Sequence, residues 1–352
     1  MRYDEHLSPV ATESGRVPLS ARAAQFVERA KHAQRRGDAD AALAHYDDAL
    51  SLLEDDGDCA LAADVLRWKG AVLRERGETT AAHRFFSRSL AMAERLEYVS
   101  GQAHALNCLG TIAHRRGELK AAMQMYKQAA HHAEACADRR LLGMVEMNRG
   151  VISGLLGEWD EAVVWFRLSL KTFEGIGDSE AASWVLNNLG EQYAVRGRLA
   201  QAGECFQRAL AIAYEREDIV VEATVELNLA EVRIREGELV QATRSVARAL
   251  KIAELRHDRL RTAEALRLQA RIARERGDLE QAMESLREAR FQAREGEDAM
   301  LHNELLCELG EVCRERGDSD RTRQVLSEAL AGFQEIGAVN QARIVAGQLE
   351  AL

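Results

Sequence analysis

His104, Cys108 and His114 are the side chains in this sequence best placed to bind a metal. On a helix His104 and Cys108 are one turn apart and share a face. His114, six residues beyond Cys108, lies roughly 240° further round at 100° per residue. A structural zinc wants four ligands converging on one centre, so the spacing points to a polar or packing helix surface, and neither a metal nor any other cofactor is expected. The six cysteines, Cys59, Cys108, Cys136, Cys205, Cys307 and Cys313, form no C-x-x-C pair and read as small buried hydrophobes. Walker loop, strand-following G-x-G-x-x-G, G-x-S-x-G elbow and H-E-x-x-H are all absent from the sequence, so no enzyme activity is expected.

Recognition without reaction is better supported. Four sets of residues follow the spacing i, i+3, i+4, i+7, i+11, each a single stripe along a helix. The first is His104, Asn107, Cys108, Thr111 and Arg115; the second is Met144, Met147, Asn148, Val151 and Leu155. The third is Trp184, Asn187, Asn188, Glu191 and Val195, and the fourth holds Thr224, Asn228, Glu231 and Arg235. Asn costs a helix about half a kcal/mol relative to Ala, so five of them in these stripes call for a reason. A carboxamide offers donor and acceptor together, which suits the main chain of an extended peptide whatever its side chains. The competing reading is structural: Met144, Met147 and Trp184 filling a tight stack, with the Asn side chains bonding neighbouring helices. Further on, Glu264, Arg267, Arg271, Arg274, Glu304, Glu308 and Glu311 make a charged surface, either solvated or an electrostatic rim for a partner.

The elements that carry these stripes follow from one repeat. Gly37, Gly77, Gly117, Gly157, Gly197, Gly237, Gly277 and Gly317 are eight glycines at an unbroken spacing of 40. Five residues after each comes Ala42, Ala82, Ala122, Ala162, Ala202, Ala242 or Ala282, with Thr322 the one departure. Four later lie Tyr46, Phe86, Tyr126, Phe166, Phe206, Val246, Leu286 and Leu326, then a small residue three further on. Small and large side chains alternating at steps of three and four define one helix face. Before each Gly a second amphipathic helix reads likewise, as in Val185, Leu189 and Tyr193. Each unit is therefore two helices with Gly as the left-handed stop between them. Arg36, Arg76, Arg116, Arg196, Arg276 and Arg316 suit the negative end of the first helix. Asp58, Asp138, Asp178, Asp218, Asp258 and Asp298 recur between units as expected caps or turn residues. No stretch alternates with the period of two that a strand needs.

Leu189, Gly190, Tyr193, Gly197, Ala202, Phe206 and Ala209 resemble the tetratricopeptide repeat signature L-G-x2-Y, A-x3-F, A. The resemblance spans residues 19–340, about nine-tenths of the chain. The period is 40 instead of the common 34, the closing Pro is missing, and Ala230 and Ala270 replace the Gly190 position in units six and seven. This longer form is similar to the repeats of kinesin light chains, Pins-type adaptors and bacterial sensor arms of the Rap and maltose-activator type. The resemblance implies an all-α fold, a right-handed α-solenoid of eight helix-turn-helix repeats over 19–340, with 341–352 as a C-terminal capping helix and 1–18 as a flexible tail. It also implies that the four stripes line the concave surface as a partner-binding groove, and that Asn148, Asn188 and Asn228 resemble the Asn that holds ligand main chain in peptide-binding members.

The balance of 47 basic against 57 acidic residues, net −10, argues against nucleic acid or anionic membrane as partners. No apolar run reaches the length of a membrane span, and no secretory leader is visible near the start, so a cytoplasmic location is expected. The expected function is an interaction scaffold that holds a protein or peptide segment, extended or not, in the groove of repeats three to six. The alternative is a regulatory sensor arm that changes shape on binding a peptide or small effector and controls an enzyme or transcription factor. Nothing in the spacing fixes an oligomeric state.

Overall fold

A computed structural model describes residues 19–54 and 58–352, and within these residues there are seventeen α-helices and no strand. They divide into two compact units, one ending at Asp178 and one running from Ser179 to Leu352. The first holds four helix pairs: α1 (Leu19–Arg35) with α2 (Ala39–Glu54), α3 (Ala60–Glu75) with α4 (Thr79–Arg95), α5 (Val99–Arg115) with α6 (Leu119–Ala135), and α7 (Arg139–Leu155) with α8 (Trp159–Ile176). The second holds α9 (Ser179–Val195) with α10 (Leu199–Glu215), α11 (Ile219–Arg235) with α12 (Leu239–Leu255), α13 (Arg259–Glu275) with α14 (Leu279–Glu295), and α15 (Ala299–Glu315) with α16 (Ser319–Glu335). A single helix, α17 (Val339–Glu350), ends this unit and begins two residues before the expected boundary at 341. The tail expected over residues 1–18 lies outside the described residues.

The turns within pairs form as the glycine spacing predicts. All eight recurring glycines have φ between +73° and +82°. In the third pair Gly117 N–H donates to the His114 carbonyl and Glu118 N–H to the Ala113 carbonyl, both at 2.9 Å, the double bond that closes a helix on a left-handed residue. Between pairs the same left-handed stop falls on Gly177 and Gly337 and, at five other turns, on non-glycine residues, Glu97, Ala137, Glu217, His257 and Glu297, with φ of 51–59°. The sequence does not announce these five turns, because only Gly visits that region without steric cost.

Caps divide by side-chain length. Asp138, Asp218, Asp258 and Asp298 accept from backbone N–H groups in the first turns of α7, α11, α13 and α15. Asp278 and Asp318 do the same for α14 and α16. Glu78, Glu118, Glu158 and Glu238 hold the equivalent place in other second helices and make no capping bond. Asp58 departs from expectation: Cys59 caps α3 through its sulfur, and Asp58 accepts from Arg95 Nε at 2.6 Å.

Packing within a pair explains the signature glycine. Tyr46, Phe86, Tyr126, Phe166 and Phe206 are at most 1% exposed. A Cβ on Gly110 would sit 2.6 Å from Tyr126 Cε1, and one on Gly190 2.5 Å from Phe206 Cε1. The ring lies directly on the partner helix's backbone, where a methyl has no room. Ala42, Ala82, Ala122, Ala162, Ala202, Ala242 and Ala282 are all fully buried at the same helix crossings. Of the cysteines only Cys205 and Cys313 are buried; the other four are partly exposed, which corrects the expectation that all six pack inside. At the end of the second unit Ala342 and Val345 of α17 join the core of Leu305, Leu309 and Phe333.

Candidate functional site

In the first unit, α5 and α7 bring two of the predicted stripes side by side. His104 Nε2 lies 3.1 Å from Asp138 Oδ2, and burial, together with Arg67, lowers its pKa. Asn107 is 8% exposed and accepts from Asn148 Nδ2 at 3.0 Å. Thr111 Oγ1 donates to the Asn107 carbonyl one turn back. Met144, Met147 and Val151 are partly buried beside Asn148, while Leu155 at the helix end is 58% exposed.

In the second unit, α9 and α11 carry the other two stripes, and the same pairing recurs. Asn228 Nδ2 donates to Asn187 Oδ1 and to Glu191 Oε1, each at 2.8 Å, and Asn187 Nδ2 donates to Glu191 Oε1 at 2.9 Å. Thr224 is buried and bonds the Val220 carbonyl of its own helix. Arg235 reaches the Ala194 carbonyl at 2.6 Å. Asn148 and Asn228 thus each donate to an Asn 41 residues earlier, in the preceding repeat. Two of the three residues expected to hold a ligand's main chain therefore also tie repeats together. Asn188 differs: it is partly exposed, and its carboxamide has no hydrogen-bond partner among the described residues.

Trp184, Asn187, Asn188, Glu191, Thr224, Asn228 and Glu231 all line one cavity of about 760 Å³. Most of its remaining wall comes from α13 and α15 and includes Arg267, Arg271, Glu308 and Glu311 of the predicted charged surface. Those residues share the register of the predicted stripes, which is the signal that could have joined them to the site. The 41-residue link continues here as an ion pair, Arg267 Nη2 to Glu308 Oε1 at 2.5 Å. Arg271 holds Glu231 at 2.9 Å, and Arg274 holds Glu311 at 3.0 Å and Glu315 at 2.5 Å. The cavity offers an aromatic face, one free carboxamide and a network of paired charges, an arrangement suited to holding a polar chain with apolar side groups.

The sequence model of the tetratricopeptide repeat family matches residues 141–215 and 221–295. No curated protein matches the sequence. Solved structures do. A signal transduction ATPase with numerous domains that has a tetratricopeptide repeat sensor, from Pyrococcus horikoshii, aligns over 93% of this chain and 50% of its own, so this chain spans half of that protein, with 16% identity and a TM-score of 0.68. The apo form of RapI aligns over 78% of this chain and 99% of its own, at 19% identity and a TM-score of 0.62. The Rap conjugation gene regulator of plasmid pLS20, in complex with the Phr* peptide, aligns over 91% and 97%, at 13% identity and a TM-score of 0.58. At these identities the likeness is one of fold. No helix among the described residues is long and apolar enough to cross a membrane.

Proposed function

The chain is a tetratricopeptide-repeat protein with an all-helical, solenoid-type fold, and on that premise we propose that it is a binding module. It captures a protein or peptide segment along the first-helix stripes, with the cavity of the second unit as the principal seat. It performs no chemistry of its own, and a cytoplasmic setting accords with this role. The observation that carries the reading is the meeting of Trp184 with the unpartnered Asn188 carboxamide on the wall of a cavity of about 760 Å³. An aromatic face beside a free amide is what a bound main chain and its apolar side chains require. The stripe of His104, Asn107, Thr111, Met144, Met147, Asn148, Val151 and Leu155 in the first unit offers carboxamides beside apolar side chains and is a proposed surface in its own right. Affinity capture from the native host tests this, with wild type, Trp184→Ala and Asn188→Ala as parallel baits. Trp184→Ala should lose most, since buried aromatics dominate binding energy. Identical captured proteins from all three baits would sink the groove.

A second reading is supported by the neighbours' own descriptions, one a peptide-bound conjugation regulator and one an ATPase with a tetratricopeptide repeat sensor. Here the segment acts as a signal, and binding changes the protein's dimensions to control a partner enzyme or transcription factor. X-ray scattering with and without a captured segment separates the two. A scaffold keeps its radius of gyration, whereas a sensor shifts it.

A further inference from the structure

The charges along the cavity of the second unit are not balanced, and the imbalance has a location. Six glutamates and four arginines line the wall, and no lysine does. The arginines are already committed: Arg261 to Glu264 at 3.3 Å, Arg267 to Glu308 and Glu304, Arg271 to Glu231, and Arg274 to Glu311 and Glu315. Of the six glutamates, Glu275 and Glu191 pair with none of these arginines; Glu275 is exposed at the end of α13, whereas Glu191 is partly buried on α9 and held in place. Its Oε1 accepts two hydrogen bonds, from Asn187 and Asn228, both neutral amides. No cation of the described residues pairs with it, and its Oε2 has no partner there.

We propose that Glu191 is the seat for a Lys or Arg side chain of the captured segment, so that the module selects a segment with one basic residue. Two fixed amides orient the carboxylate without neutralising it, leaving one oxygen free to accept from an ammonium or guanidinium. A charge-assisted bond of that kind is about twice as strong as a neutral one. Trp184, two helical turns earlier on α9 and lining the same cavity, supplies a face over which the basic side chain's stem or charge can lie. An acidic side chain would meet the surplus of carboxylates with every arginine already engaged, which selects against it. Asn188, beside this seat, is left to the neighbouring main chain of the same segment.

This inference rests on the groove reading, and its test keeps the two apart. A random heptapeptide library is selected on the immobilised full-length protein. The enriched consensus is then synthesised with an acetylated N-terminus, and its Kd is measured for wild type, Glu191→Gln, Trp184→Ala and Asn188→Ala. Gln retains the oxygen that accepts from Asn187 and Asn228, so this variant keeps the local bonds while losing the charge. A Lys or Arg should be enriched at one position of the consensus. Glu191→Gln should weaken binding about tenfold, and a peptide with Gln at that position should bind wild type and Glu191→Gln equally. A consensus that depends on Trp184 and Asn188 but carries no basic preference, or binds Glu191→Gln as well as wild type, overturns the cation seat and leaves the groove standing. No enrichment, or peptides indifferent to Trp184→Ala and Asn188→Ala, removes the groove and this inference with it.

Discussion

Asn188 and Asn228 occupy the same place in successive repeats, yet their surroundings give them different work. Asn228 Nδ2 makes two bonds at 2.8 Å that join α11 to α9. Replacing it with Ala strips a donor from Asn187 Oδ1 and Glu191 Oε1 on a partly buried surface. The loss should cost about 1 to 3 kcal/mol, offset by about half a kcal/mol of better helix propensity. Asn188 has no such bonds, so Asn188→Ala should melt at or slightly above the wild-type temperature and act only on binding. Thermal unfolding of the two single variants compares them directly; an Asn188→Ala protein that melts below Asn228→Ala would refute the division of roles. The row of Asn was legible from spacing alone. Which of them was spoken for was not, because a side-chain bond to a residue 41 positions away depends on how two helices are rotated against each other.

At the scale of the helix, the difference between Asp and Glu at the N-terminus carries the next expectation. Asp298 accepts from Leu301 N–H at 2.9 Å and so satisfies one of the open donors of α15. Glu238 stands at the same kind of boundary, before α12, without a capping bond. Asp298→Ala should therefore cost about 1 kcal/mol, and Glu238→Ala much less. Urea unfolding midpoints of the two variants make the comparison, and equal losses would mean that simple charge near the helix start matters more than the bond. The recurring Asp of the sequence pointed to four of these caps correctly. At Asp58 the pattern misled, since Arg95 at the end of α4 takes the carboxylate, and Cys59 serves as the cap.

For the whole chain, a stack of repeats is held only by contacts between neighbours, so its last core needs a cover. In the second unit that cover is α17, through Ala342, Val345 and the partly buried Leu349. Ile344 and Val339, on its other face, are 62% and 75% exposed. Deleting residues 339–352 should uncover Leu305, Leu309 and Phe333 and drive self-association. Sedimentation or light scattering of the shortened protein checks this. A truncated protein that stays monomeric and melts like the full chain would show that α16 closes the core alone.

The sequence by itself determined the period of 40, the two helices per repeat, the glycine stops between them and the face each helix buries, because all of these are local. A residue's place on a helix follows from counting at 3.6 per turn, and Gly at a left-handed stop follows from the sterics of its own backbone. The same counting put Trp184, Asn187, Asn188 and Glu191 on one stripe. Tertiary structure alone decided how the polar members of that stripe pair. It joined Asn187, Asn228 and Glu191, engaged the arginines of α13 with glutamates on neighbouring first helices, and left Asn188 and one oxygen of Glu191 open to the cavity. Hydrogen bonds and ion pairs depend on distances of about 3 Å between side chains from different repeats, and those distances are fixed by how Ala and Gly let the helices approach.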